Sequence, residues 1–123
     1  MQALRHPSIA IVDDDESLRR SLSRLLRASG LQPIAYESAE ALLADRERPP
    51  FGCVVLDVRL GGMSGLELQR ELAAQPEAAP IIFITAHDEP EARAQAEAAG
   101  CAAYFRKTDA GAEILKAIRR AVA

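Results

Sequence analysis

Short runs of consecutive apolar residues alternate along the chain with longer stretches in which apolar positions recur every three or four residues. Ile9-Ala10-Ile11-Val12, Cys53-Val54-Val55-Leu56 and Ile81-Ile82-Phe83-Ile84 contain no polar residue. They predict buried strands over 8–12, 51–56 and 81–84. Two weaker strands are predicted over 32–36, where Pro33 suits an edge position, and over 102–105. Between them, Leu18, Leu22, Leu25 and Leu26 are spaced for a helix to residue 28, which Gly30 stops. Further helices are predicted over 38–44, closed by Pro49-Pro50, over 64–74, over the Ala-rich 89–99 and over 111–122. Ser64 and Glu67 have the spacing of a capping box at the start of the third helix.

This is a β-α unit repeated five times. Strands that are apolar throughout, rather than in alternation, have both faces covered, so the sheet is parallel with helices on each side. Right-handed crossovers then give a doubly wound α/β sandwich. The 123 residues fit one domain, with a core over about 8–122. Aromatic residues are 4% with no Trp, so Leu, Ile, Val and Ala must build that core.

Fifteen basic and eighteen acidic residues leave a net charge of −3, which argues against nucleic-acid binding by this domain. The chain contains no apolar run of membrane-spanning length and no signal-like start, and His6 lies in a polar terminal stretch. Cys53 and Cys101 lack metal-ligand spacing and read as reduced, buried thiols, so a cytoplasmic location is expected. The first strand is not followed by a glycine-rich phosphate loop, which disfavours nucleotide or flavin binding there.

In an open parallel sheet the functional crevice lies at the carboxyl ends of the strands. The polar residues there are Asp13 and Asp14, Asp57, Thr85 and Lys107, drawn from four separate stretches of chain. Two carboxylates about 4 Å apart repel by roughly 4 kcal/mol at an effective dielectric near 20, so such a cluster implies a divalent cation. Hard oxygen ligands suit Mg²⁺. A carboxylate beside Mg²⁺ is a competent nucleophile towards phosphorus, and Lys107 and Thr85 would neutralise and hydrogen-bond the phosphoryl oxygens. The pieces make one phosphoryl-acceptor site.

These residues resemble the receiver domains of two-component response regulators across essentially the whole chain. Val12-Asp13-Asp14-Asp15 resembles the family's acidic pair, and Val55-Leu56-Asp57 with Met63-Ser64-Gly65 its phosphoacceptor strand and loop. Ile84-Thr85-Ala86 is similar to the switch-threonine segment, and Ala99-Gly100 with Tyr104 and Lys107 to the switch-aromatic and lysine segment. The resemblance implies a flavodoxin-like fold with strand order 2-1-3-4-5 and a phosphorylation switch, not an enzyme with a separate product. Asp57 would take the phosphoryl group from a histidine kinase or phosphotransfer protein. Asp13, Asp14, Asp57 and the main-chain carbonyl of Arg59 would hold Mg²⁺. Lys107 would pair with the phosphoryl group, Thr85 would move towards it and Tyr104 would rotate into the space behind, while Arg59 and His87 would tune phosphate lifetime. The loop wording is most similar to receivers that accompany DNA-binding output domains.

The sequence departs from that pattern at two places. Thr108 follows Lys107 where the family usually has Pro, which predicts a trans bond and a rearranged loop. Gly61 replaces a common Pro, and Gly61-Gly62 predicts a looser loop. Asp13-x-Asp15-x-Ser17 is also similar to the start of a haloacid-dehalogenase-like phosphatase, but 123 residues leave little room for that fold's further motifs. A competing class is a phosphate-independent interaction module on the same fold. Glu89, Glu91 and Glu97 on the fourth helix, with Lys116, Arg119 and Arg120 on the fifth, suggest a homodimer paired across those helices. The arginines of the first helix form a mainly solvated face.

Overall fold

The apolar runs become the strands of one parallel sheet. The computed structural model describes residues 7–86, 89–109 and 111–123, so His6 and His87 lie outside the described residues. The order is β1 (Ser8–Val12), α1 (Glu16–Ala28), β2 (Gln32–Tyr36), α2 (Ala39–Ala44), β3 (Cys53–Leu56), α3 (Gly65–Ala73), β4 (Ile81–Thr85), α4 (Pro90–Ala98), β5 (Ala103–Arg106) and α5 (Gly111–Val122). The strands are arranged 2-1-3-4-5, as expected, and every pairing is parallel.

Successive residues of the central strands face opposite sides, which builds two cores. Ala10, Val12, Val54, Leu56 and Phe83 pack on Ala39 and Leu42 of α2, Leu68 and Leu72 of α3 and Ala96 of α4. Ile9, Ile11, Val55, Ile82 and Ile84 pack on Leu22 and Leu26 of α1 and Ile114 and Ile118 of α5. Each such fully buried Leu or Ile contributes roughly 1.5–3 kcal/mol. β2 and β5 are the edges, and Pro33 stands on an edge strand, where a missing donor costs nothing.

Several boundaries differ from the expectation by one or two residues. β3 begins at Cys53 rather than residue 51, because half-buried Phe51 turns aside to pack edge-on against Tyr36 at 6.3 Å. β5 is shifted by one residue, since Arg106 pairs with Thr85 at an exposed strand end that accepts charge. Ser38, Ser64 and Glu89 are N-caps rather than helical residues. Cys53 is buried, and burial pushes its thiol up to about 12. Cys101 is only half-buried, because it follows Gly100 at the turn that ends α4.

α1 and α4 stop the same way. Leu31 N–H reaches back to the Leu26 carbonyl and Cys101 N–H to that of Ala96, each at 3.0 Å, across Gly30 and Gly100 with positive φ. α4 is the least adhesive helix, with Ala96 its single buried residue. Among the described residues no helix is long and apolar enough to cross a membrane.

Candidate functional site

Each site residue stands at or just past a strand end, placed there by continuation of the sheet's own hydrogen bonds. Asp13 N–H donates to the Tyr36 carbonyl and Asp57 N–H to that of Val12, both at 3.2 Å. Lys107 N–H donates to the Thr85 carbonyl at 2.8 Å. Behind Asp57 the chain returns through residues 58–64, and Gly65 N–H closes that loop on the Val58 carbonyl at 2.9 Å. Gly65 packs directly on the main-chain carbonyl of Asp57, where a Cβ would overlap the oxygen. Only glycine allows α3 to start there.

Lys107 Nζ sits among the carboxylates, 3.1 Å from Asp57 Oδ2, 3.2 Å from both oxygens of Asp13 and 3.7 Å from Asp15 Oδ2. With Thr108 the bond after Lys107 is trans, as expected, and no cis peptide bond occurs among the described residues. The turn is held instead by Asp109, whose Oδ2 accepts the Arg106 N–H at 2.8 Å, and Lys107 still reaches both aspartates. Burial works against its ammonium, but the hydrogen bond to Asp57 and the charges of Asp13 and Asp57 outweigh it and raise the lysine above its ordinary value.

Asp13, Asp14 and Asp57 each bring a carboxylate oxygen within 4.8 Å of the others. Burial raises Asp13 to about 6, although the Asp15 N–H at 2.9 Å and Lys107 pull the other way. Its Oδ2 is buried and accepts no hydrogen bond. A buried carboxylate oxygen that Lys107 meets as an ion pair at 3.2 Å but that accepts no hydrogen bond, facing two further carboxylates, is what a hard divalent cation would satisfy, and opposite ligands of an octahedral Mg²⁺ lie about 4 Å apart. The residues fit Mg²⁺. Asp15 caps α1 by accepting from Leu18 N–H at 3.3 Å.

Thr85 is buried at the end of β4. Tyr104 is turned inward, 5.9 Å from Phe83, and Arg93 of α4 lies over its ring at 5.3 Å. The Arg59 N–H donates to Asp57 Oδ1 at 3.1 Å, while its side chain turns away and grips Glu89. Four of the six charges expected to pair across subunits have partners within the chain: Glu89 with Arg59, Glu97 with Arg93, Lys116 with Glu113, and Arg119 with the Ser29 carbonyl.

Four contributors were not foreseen. Arg19 donates to the Asp13 carbonyl at 2.6 Å and steadies the acidic pair from α1. Glu40 accepts the Met63 N–H at 2.7 Å, which ties the end of the Gly61-Gly62 loop to α2. Gln69 ties α3 to α4, and Arg93 covers Tyr104. Of these, only Arg19 carried a signal, standing one turn into α1 on the side of the strand end.

A family model described as the response regulator receiver domain matches residues 9–119. The response regulator protein TodT of Pseudomonas putida is 41% identical over 124 residues, covering 97% of this chain and 55% of that protein. The transcriptional regulatory protein FixJ of Azorhizobium caulinodans is 37% identical over 111 residues, 90% of this chain and 53% of its own length. The chain thus spans about half the length of these relatives. The crystal structure of FixJ-N superposes with a TM-score of 0.85 at 34% identity, covering 97% of this chain and 95% of that one.

Proposed function

The chain belongs to the response regulator receiver domain family, whose members are phosphoacceptor switches rather than enzymes with a separate product, and from that premise we propose that Asp57 is its phosphoacceptor. The observation that carries the reading is Lys107 Nζ held 3.1 Å from Asp57 Oδ2 and 3.2 Å from both oxygens of Asp13, among three carboxylates that converge within 4.8 Å. Asp57 Oδ1 accepts the Arg59 N–H and Oδ2 is paired with Lys107; Oδ2 becomes the attacking atom as Lys107 turns to the incoming phosphoryl group.

Oδ2 of Asp57 attacks the phosphorus of a phosphohistidine on a histidine kinase or phosphotransfer protein. The oxygen–phosphorus bond forms as the phosphorus–nitrogen bond breaks, and the electron pair leaves on the imidazole. Lys107 keeps its proton and moves with the transferred oxygens, exchanging a carboxylate partner for a phosphoryl one. Asp13, Asp14, Asp57 and the Arg59 carbonyl would hold Mg²⁺, which supplies Lewis-acid charge neutralisation between carboxylates and phosphoryl oxygens. Thr85 contributes its hydroxyl to the phosphoryl group, and Tyr104, already inward, follows the space that Thr85 vacates. Arg59, together with His87, governs how readily water reaches the phosphorylated carboxyl.

The relatives are longer, and FixJ is named a transcriptional regulatory protein, which supports an output module as the recipient of the switched surface. The test is intact mass after incubation with Mg²⁺ and acetyl phosphate. Wild type is expected to gain one phosphoryl group and Asp57→Asn none. Absence of that gain, together with failure of beryllofluoride and Mg²⁺ to bind, would leave a phosphate-independent interaction module as the reading.

A further inference from the structure

We propose that Glu40 of α2 is a positioning residue of the phosphoacceptor site, holding through the Met63 N–H the loop that presents Arg59 beside Asp57. The proposal rests on the reading of Asp57, Asp13 and Asp14 as a Mg²⁺-dependent acceptor site and adds a residue on a different element to it.

The segment between Asp57 and α3 needs an outside anchor. Its middle is Gly61-Gly62, two exposed residues without side chains, and Gly62 has φ +80°. Its ends are fixed: Arg59 N–H on Asp57 Oδ1 at 3.1 Å, and Ser64 N–H on Glu67 Oε1 at 3.1 Å in the capping box. Between these points, among the described residues, a side chain holds the loop backbone at Met63 N–H, which donates to Glu40 Oε2 at 2.7 Å across 23 positions of sequence. A carboxylate accepting a backbone N–H makes a charge-assisted bond, shorter and stronger than a neutral one.

Glu40 projects from a fixed base. Ser38 caps α2 by accepting the Ala41 N–H at 3.0 Å, and Ala39, adjacent to Glu40, is buried in the core. The fit with the loop is close on both sides. A Cβ at Gly62 would collide with the Glu40 carboxylate, so that carboxylate occupies the space a side chain at position 62 would need. Glycine at 62 is favoured by its φ, and a side chain there would have to push the Glu40 carboxylate off the Met63 N–H. The Met63 N–H, and Glu40's own N–H after it, hold the Glu40 carboxyl below the usual carboxylate range.

Without this bond, residues 59–62 would be tethered by Arg59, through its N–H and its grip on Glu89, by Leu60 against the core and by the start of α3, leaving the Gly61-Gly62 side without a side-chain tie among the described residues. The Arg59 carbonyl would then sample more orientations than a metal site tolerates. Mutation of groups that orient metal ligands typically costs 10–100-fold in affinity, and Glu40 acts one step further out, through main chain. Glu40→Ala is therefore expected to weaken Mg²⁺ binding by about three- to tenfold, while Glu40→Gln, which keeps an acceptor oxygen, restores most of it.

The experiment is calorimetric titration of the metal-free protein with MgCl2 for wild type, Glu40→Ala, Glu40→Gln and Asp57→Asn, with amide spectra of Arg59 and Met63 recorded alongside. The proposal expects weaker binding and shifted Arg59 and Met63 amides in Glu40→Ala, an unchanged melting temperature, and recovery in Glu40→Gln. Equal affinity in wild type and Glu40→Ala, with wild type binding and Asp57→Asn not, overturns the role of Glu40 and leaves the acceptor site standing. No Mg²⁺ binding by wild type overturns both. A fall in affinity matched by a fall in melting temperature, without rescue by Gln, reduces Glu40 to a folding contact and also overturns the proposal.

Discussion

The guanidinium of Arg59 grips the carboxylate of Glu89 through two hydrogen bonds, Nε to Oε1 at 2.5 Å and Nη2 to Oε2 at 2.6 Å. The first residue stands two places after Asp57 and the second is the N-cap of α4, so the pair links the loop after β3 to the start of α4 beside the proposed acceptor. Glu89 makes no side-chain capping bond to its own helix, and the Arg59 side chain holds the carboxylate that would otherwise make one. The bond with Glu89 raises the Arg59 guanidinium above its ordinary value.

Opening this bridge should affect the lifetime of the phosphorylated state more than stability. Both side chains are substantially exposed, so the pair adds little to folding. Arg59→Ala is expected to speed loss of the phosphoryl group by about three- to tenfold, as water gains a less hindered approach, with an unchanged melting temperature. Decay of the phosphorylated mass after donor removal measures it. Equal decay in both proteins would remove Arg59 from this role.

Asp13 gives the metal-free protein an unusual pH dependence. Its carboxyl titrates near 6 in the folded chain against 3.8 in the reference state, so between those values the folded state holds more protons than the unfolded one. The contribution of this group to stability is therefore highest at low pH and falls as pH rises from about 4 to about 6. Burial dominates the shift, and the total is at most about 3 kcal/mol. Asp13→Asn should be more stable than wild type at pH 7 by about 1–2 kcal/mol in EDTA, with the difference shrinking towards pH 4. Urea titrations of both proteins across that range test the sign.

Lys107 is the charge that makes the cluster tolerable without metal. Lys107→Met should cost about 2 kcal/mol in EDTA, because Asp13 and Asp57 lose their shared cation. Excess MgCl2 should recover much of that loss while phosphorylation by acetyl phosphate stays at least about 100-fold slower. A variant that phosphorylates normally would sink the assignment.

Gln69 is buried in α3, with Nε2 donating to the Ala96 carbonyl at 3.2 Å and Oε1 without a partner. The Ala96 carbonyl also accepts from Cys101 N–H, so it stays satisfied if Gln69 is removed. Gln69→Met should therefore be neutral or stabilising by up to about 1 kcal/mol. The same change should speed amide exchange in α4 relative to α3, because the polar link between them is gone. Gln69→Glu, which buries a charge, should cost about 2 kcal/mol or more. Thermal melts and hydrogen exchange separate the three proteins.

The residues at strand ends were legible because two simple rules overlap there. A fully apolar strand must end in something polar, and a parallel sheet collects those ends on one edge, which brings Asp13, Asp57, Thr85 and Lys107 together. The links that complete the site follow no such period. Glu40 with Met63, Gln69 with Ala96, and Arg59 with Glu89 join positions 23, 27 and 30 apart, on elements whose relative placement a linear pattern does not encode. Phe51 and Arg106 show the same limit at finer scale. An apolar residue outside a strand and a charged one inside it are settled by packing at the sheet edge, not by hydropathy.

The sparse packing of α4 has a thermal consequence. With Ala96 its single buried residue and Ala92 half-buried beside it, displacing the helix would hydrate these and the surface they cover, on the order of 150 Å² of apolar area, a heat-capacity change of about 70 cal/mol/K. That is about what five residues contribute to global unfolding. An equilibrium between two positions of α4 would therefore follow a nearly straight van't Hoff line. The ratio of its two states would then drift little with growth temperature, even as the stability of the domain around it curves.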